Sequence, residues 1–292
     1  MVSYLGHTQY NFVMPLVSIY KDFLKFIDAS GKSLWTDYER LYFAPHRQFL
    51  SSYWKNCMGL GFEELRGRVE AIKPGDYSHL VSLLRSCDLE SVCFSALQKC
   101  SRLLQWDDEP MVYLMVGFFS PDGFVITVDG KPVIGIGLER YRSFRNIPVM
   151  LAHECCHYMQ CLAEIPVDGW IDRCTVGEAM LREGICVAFS RMVFPERPLT
   201  EHLGMSRGRL NWMRANEKLI WQTMEPALNL MGRDAIQQYL YGAASSGRGG
   251  LYIGFRIAEE FLISSPERNI KTLLGIGPEE VLKAYTVPMG GI

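Results

Sequence analysis

The chain has 292 residues, of which 48% are hydrophobic and 21% charged, with a formal net charge of −2. That composition is ordinary for a globular protein with a large core, and so small a charge leaves no basic footprint for nucleic acid. No apolar run approaches the roughly eighteen residues of a membrane span; the longest obvious one is 111–119, so neither nucleic acid nor a membrane is an expected partner.

The first residues, Met1-Val2-Ser3-Tyr4-Leu5-Gly6-His7, lack a basic segment followed by an apolar one, so no secretory signal is visible. Nine cysteines, an odd number without C-x-x-C pairs, then read as reduced thiols and the expected compartment is the cytoplasm.

The first hundred residues read as helices. Leu16, Val17, Tyr20, Phe23, Leu24 and Ile27 recur at helical spacing up to Gly31. Thr36-Asp37-Tyr38-Glu39 has the form of a capping box opening a second helix, bent near Pro45. Two more helices are expected over 78–85 and 88–104.

The pattern changes after Trp106. Short apolar runs at 112–119, 123–128 and 132–138 read as strands, and Asp129-Gly130 between the last two is a hairpin signal. Gly135-Ile136-Gly137 is not a dinucleotide fingerprint, because position 140 is Arg and no strand-Gly-helix unit forms.

A helix follows, opened by Pro148 in its first turn. It carries His153-Glu154-Cys155-Cys156-His157, an H-E-x-x-H pattern. Two histidines four apart share one helix face, so both imidazoles can reach one metal ion. Glu154 stands to the flank, where it can take a proton from water held at the metal. Leu151, Ala152, Cys155, Tyr158, Met159 and Leu162 form an apolar stripe on the opposite face. Cys155 therefore reads as packing, whereas Cys156 lies within a turn of His153 and could close the site as a fourth ligand.

A catalytic zinc site needs a third protein ligand, and the helical segment 175–194 offers Glu178 and Glu183. Val176, Met180, Glu183 and Val187 share a stripe, so Glu183 interrupts a buried face, where a metal would relieve the cost of an unpaired carboxylate. Glu178 stands four residues before Arg182, a spacing that suits a solvated ion pair. Gly184 would let this helix approach the H-E-x-x-H helix closely. Further helices are expected over 210–223, 233–241 and 251–262, with a loop at 243–250 whose Arg248 is a solvated cation or a partner for a substrate carboxylate.

H-E-x-x-H followed by Arg182-Glu183-Gly184-Ile185-Cys186-Val187-Ala188-Phe189 resembles the gluzincin metallopeptidases, and most closely a family of predicted zinc-dependent proteases of otherwise unknown function. Gly250-Leu251-Tyr252-Ile253-Gly254-Phe255-Arg256-Ile257 is similar to that family's C-terminal G-x-Y-x-G-x-x-I helix. The resemblance covers about 112–285 and is specific at the two metal segments. It implies a zincin-like α+β fold, mostly helical, with a small mixed sheet before the H-E-x-x-H helix. That fold would be one unit in two lobes, 1–146 and 147–292. It also implies an edge strand above the site, a part that 132–141 would play, and an oxyanion donor from a C-terminal helix. Tyr252 is the expected donor, with His202 and Tyr241 in reserve. Thermolysin-like relatives place Asp four residues after the ligand glutamate; here that position is Val187, so support for the ligands would come from elsewhere, such as Asp168 or Asp172.

The function expected from these residues is hydrolysis of peptide bonds in a peptide or protein substrate. His153, His157 and Glu183 would hold one Zn2+ per chain, with Glu154 as general base. A zinc-stabilised binding or regulatory protein with little turnover is the alternative, against which the intact Glu154 argues. Hydrolysis of a non-peptide amide would use the same chemistry.

Overall fold

The computed structural model describes residues 16–29, 33–106, 109–118, 121–163, 169–242, 248–264, 267, 269–275 and 278–283. It is mostly helical, with one small mixed sheet of four strands: an α+β protein. The strands are β1 (Leu16–Val17), β2 (Val112–Met115), β3 (Gly123–Val128) and β4 (Lys131–Gly137), in the order β1-β2-β4-β3. β1 and β2 are parallel, β2 and β4 are parallel, and β3 returns antiparallel on β4 with Val128 opposite Lys131. Asp129 and Gly130 both take positive φ, 50° and 77°, as the tight hairpin turn requires. Gly135 faces Phe124 across the β3–β4 pair, and a Cβ there would stand 2.2 Å from the phenyl ring. Its lack of a side chain makes room for that ring.

Before the sheet come α1 (Tyr20–Asp28), α2 (Leu34–Tyr38), α3 (Arg47–Ser52), α4 (Phe62–Glu70), α5 (Ser78–Ser86) and α6 (Leu89–Leu104). Gly31 lies outside the described residues. α2 starts a turn earlier than expected, because Ser33 accepts the Thr36 N–H and is the N-cap. The chain runs on through a π turn into a 3-10 turn at Pro45, the expected bend. Buried tyrosines tie these helices to the sheet: Tyr42 and Tyr53 donate hydroxyl hydrogen bonds to the carbonyls of Val116 and Gly117, both 2.9 Å.

After the sheet come α7 (Ile147–Leu162), α8 (Val176–Val193), α9 (Leu199–His202), α10 (Arg207–Ala215), α11 (Glu217–Met224), α12 (Arg233–Ile236), α13 (Gly249–Ile263), α14 (Ile270–Gly275) and α15 (Pro278–Lys283). The single helix expected over 210–223 is broken at Asn216, whose φ of −120° leaves the helical range and separates α10 from α11. α7 packs on α6, α8, β3 and β4. Leu151, Ala152, Cys155 and Tyr158 are buried as its apolar stripe requires, but Leu162 is exposed.

Gly184 does not serve the contact between α7 and α8. A Cβ on it would lie 2.0 Å from the Gly254 carbonyl carbon, and one on Gly254 would lie 2.0 Å from the Met180 oxygen. The pair lets α8 and α13 cross with backbones touching. Glu178 also departs from expectation. It accepts the Thr175 N–H at 2.7 Å while Thr175 Oγ1 accepts the Glu178 N–H at 3.2 Å, so it completes a capping box and forms no pair with Arg182. No helix among the described residues is long and apolar enough to cross a membrane.

Candidate metal centre

α7 and α8 bring three donors together. His153 Nε2 and His157 Nε2 lie 3.1 Å apart, Glu183 Oε2 is 3.3 Å from His153 Nε2, and Glu183 Oε1 is 3.6 Å from His157 Nε2. A tetrahedral zinc with ligand bonds of about 2.0–2.2 Å keeps its donors roughly 3.3–3.6 Å apart. The residue types fit that ion, and the spacing comes near it, with the two Glu183 distances measured to different carboxylate oxygens. Cys186, one turn beyond Glu183 on α8, also approaches: its Sγ and one ring nitrogen of each histidine lie within 4.8 Å of one another. Its place three residues after Glu183 was a signal in the sequence, and it was missed there. Cys156, weighed instead, is fully buried, as is Cys186.

The donors have supports on neighbouring elements. His157 Nδ1–H donates to Gln160 Oε1 at 2.9 Å, and Gln160 Nε2 donates to the Arg182 carbonyl at 3.1 Å. This buried glutamine, one turn on from His157, fixes the tautomer that leaves Nε2 free. On the other side the Tyr241 hydroxyl donates to Glu183 Oε1 at 2.7 Å. Asp172 gives no such support, because both its oxygens accept from Arg233 at 3.2 Å. Asp168 lies outside the described residues.

Electrostatics couple the three groups. Burial pulls the His157 imidazole down, but the Glu183 carboxylate, its hydrogen bond and Glu154 outweigh that and raise it to about 9. Burial pushes Glu183 up, yet the facing imidazoles hold it well below the usual carboxylate range. Glu154 is buried, and burial raises its carboxyl, opposed by the two histidines and reinforced by Glu183. A carboxylate made more basic in this way is suited to accept a proton.

These groups open on a cavity of about 1080 Å³. Its walls include residues 123–126 of β3, together with Arg182, His202, Tyr241 and Arg248. β3 is the outermost strand of the sheet, whereas β4, which takes up most of the expected 132–141 segment, is interior between β2 and β3. The edge strand on the cleft is thus β3.

Tyr252 is not among the cavity residues. Its hydroxyl donates to Glu217 at 2.6 Å, in a buried contact between α13 and α11. His202 does line the cavity. Its Nδ1 is 2.9 Å from Ser190 Oγ, its Nε2 has no hydrogen-bond partner among the described residues, and burial lowers its pKa. Arg248 donates to the Leu203 carbonyl at 2.9 Å.

Residues 123–283, more than half of the chain, match the family described as "Predicted Zn-dependent protease (DUF2268)". The chain belongs to that family. The segment matched by this family of predicted zinc-dependent proteases begins at β3, beside the cleft, and takes in α7, α8 and α13. No curated protein and no solved structure matches the chain significantly.

Proposed function

We propose that the chain is a zinc metallopeptidase of the gluzincin type on a zincin-like fold, hydrolysing peptide bonds in a peptide or protein substrate. His153, His157 and Glu183 hold one zinc ion. The observation that carries this reading is the separation of their donor atoms, 3.1, 3.3 and 3.6 Å, beside the buried Glu154 on an open cleft. When bound, zinc polarises the scissile carbonyl and makes water more acidic.

The remaining steps belong to the chain's own residues. Glu154, its basicity raised by burial, takes the proton of the attacking water and returns it to the leaving amine. Gln160 keeps His157 oriented through Nδ1. β3 offers its free edge to an extended substrate, which pairs with it as an added strand. Tyr241, held protonated by burial and by Glu183, replaces Tyr252 as the donor for the developing oxyanion, turning its one O–H from Glu183 Oε1 to the substrate when Glu183 is engaged by the metal.

Purified protein assayed for metal and for cleavage of a diverse peptide library tests the reading. About one zinc per chain is expected, with cleavage that Glu154→Gln abolishes while retaining the metal. Zinc bound without cleavage of any peptide would favour the regulatory alternative instead.

A further inference from the structure

Among the described residues, Arg182 is the one buried arginine or lysine on the cleft wall, and the hydrolytic chemistry does not use it. It is 9% exposed, it lines the cavity, and its Nε–H meets no acceptor. An arginine does not shed its proton to relieve burial, so a buried N–H of its fork that meets no acceptor carries a cost. The acids nearest to it in sequence are occupied. Glu178 caps the start of α8 through Thr175, Asp172 takes Arg233 in a two-pronged pair, and Glu183 faces the histidines. Among the described residues, its guanidinium carbon lies 4.7 Å from the centre of the Trp170 ring, and its charge is also felt by the nearby Cys174 thiol.

That contact has a directional consequence. A ring lying against a guanidinium does not use its N–H groups, which stay available for a planar, two-oxygen acceptor. The group that matches is a carboxylate. Of the five other arginines on the cleft, Arg140 and Arg142 are not buried, and the remaining three are engaged. Arg145 stands 3.6 Å from Glu201 and Arg233 is held by Asp172, while Arg248 is tied by Nη1 to a backbone carbonyl. The Arg182 backbone is also anchored to the metal centre, since its carbonyl accepts from the same Gln160 that orients His157.

We propose that Arg182, backed by Trp170, recognises a carboxylate on the substrate, so that the cleft selects peptides bearing either an acidic side chain or a free C-terminus at this wall. The inference rests on the peptidase reading for its substrate class, but it concerns binding and can be tested without turnover.

The experiment measures peptide affinity by calorimetry on zinc-loaded Glu154→Gln protein. It compares matched pairs: Glu against Gln scanned along the peptide, and free against amidated C-termini. With Arg182 intact, one carboxylate-bearing member should bind roughly ten- to hundredfold tighter than its neutral partner, the scale of a charged two-point hydrogen bond. The pair that discriminates identifies the source of the carboxylate. Adding Arg182→Gln should erase the difference while leaving the neutral peptide's affinity and the melting temperature near their former values. Arg182→Lys keeps the charge but loses the fork, and Trp170→Leu removes the backing ring; each should weaken the discrimination, which covers the case in which the glutamine variant does not fold. Equal affinities in every pair with Arg182 present would overturn the proposal. So would discrimination that survives in Arg182→Gln, or that Arg248→Gln removes in its place. Failure of the peptidase reading would instead show as absent cleavage by the unmodified protein, a separate measurement.

Discussion

Gly123 and Glu154 occupy one space: a Cβ on Gly123 would stand 2.7 Å from Glu154 Oε1 and 2.8 Å from its Cγ. The first residue of the edge strand thus leaves room for the carboxyl group that lies beside the histidines. The clash would be with the far end of a flexible side chain and with Met150 Cγ, also at 2.8 Å, rather than with backbone. Gly123→Ala should therefore fold and bind zinc, but with the base pushed aside. Turnover is expected to fall roughly tenfold to a thousandfold, approaching the loss in Glu154→Gln. A variant with unchanged turnover and a displaced Glu154 would show that the carboxylate does not act from that position.

Tyr252, the expected oxyanion donor, and Tyr241, held in reserve, stand in different surroundings. Tyr241 donates to Glu183 on the cavity, whereas Tyr252 donates to Glu217 inside the α11–α13 contact. Tyr241→Phe should cut turnover by roughly tenfold to a thousandfold, the scale of a lost oxyanion donor, with zinc retained. Tyr252→Phe should leave turnover near wild type and instead cost about 1–3 kcal/mol of stability, since Glu217 loses a buried partner. Chemical denaturation and steady-state kinetics on the two variants separate these effects. The opposite pattern would return the role to Tyr252.

The features legible in the sequence were those decided within a few residues. The 3.6-residue spacing of α7, Pro148 in its first turn and the Asp129-Gly130 turn are local, and each is found where the pattern puts it. What was not legible depends on pairing at a distance. Nothing in 132–141 says that β4 will slip between β2 and β3 and leave β3 at the edge. Gly184 announces a close approach but not its partner, which is Gly254 on α13. Similarly, the four-residue spacing of Glu178 and Arg182 was real, but a capping interaction with Thr175 won the carboxylate and Trp170 took the guanidinium.

The nearness of Cys186 makes the ligand set testable by spectroscopy. Cobalt(II) in place of zinc gives an intense sulfur-to-metal charge-transfer band only where a thiolate is bound. With His153, His157 and Glu183 as the donors, that band should be absent and Cys186→Ser should leave zinc affinity within a few-fold. Glu183→Ala should weaken zinc sharply, and Glu178→Ala should not, since Glu178 is spent on the capping box. A strong charge-transfer band that Cys186→Ser removes would make the thiol a ligand and the site a closed one.

Proton linkage gives the last test. In the metal-free protein His157 is raised to about 9 by Glu183 despite its burial, so at pH 7.5 it carries a proton that a bound metal must displace. Zinc uptake at pH 7.5 should then release about one proton from this residue, and apparent affinity should climb close to tenfold per pH unit until it levels near pH 9. The sign for folding is the reverse. A pKa raised above the ordinary value of 6.5 stabilises the metal-free fold fully below pH 6.5, and that contribution disappears as pH rises through about 9. Calorimetric titrations of zinc in buffers of different ionisation enthalpy measure the released proton directly. Metal-free protein whose melting temperature rises between pH 7 and pH 9.5, together with zinc binding that releases no proton at pH 7.5, would show that His157 is neutral before the metal arrives and that Glu183 does not hold it charged.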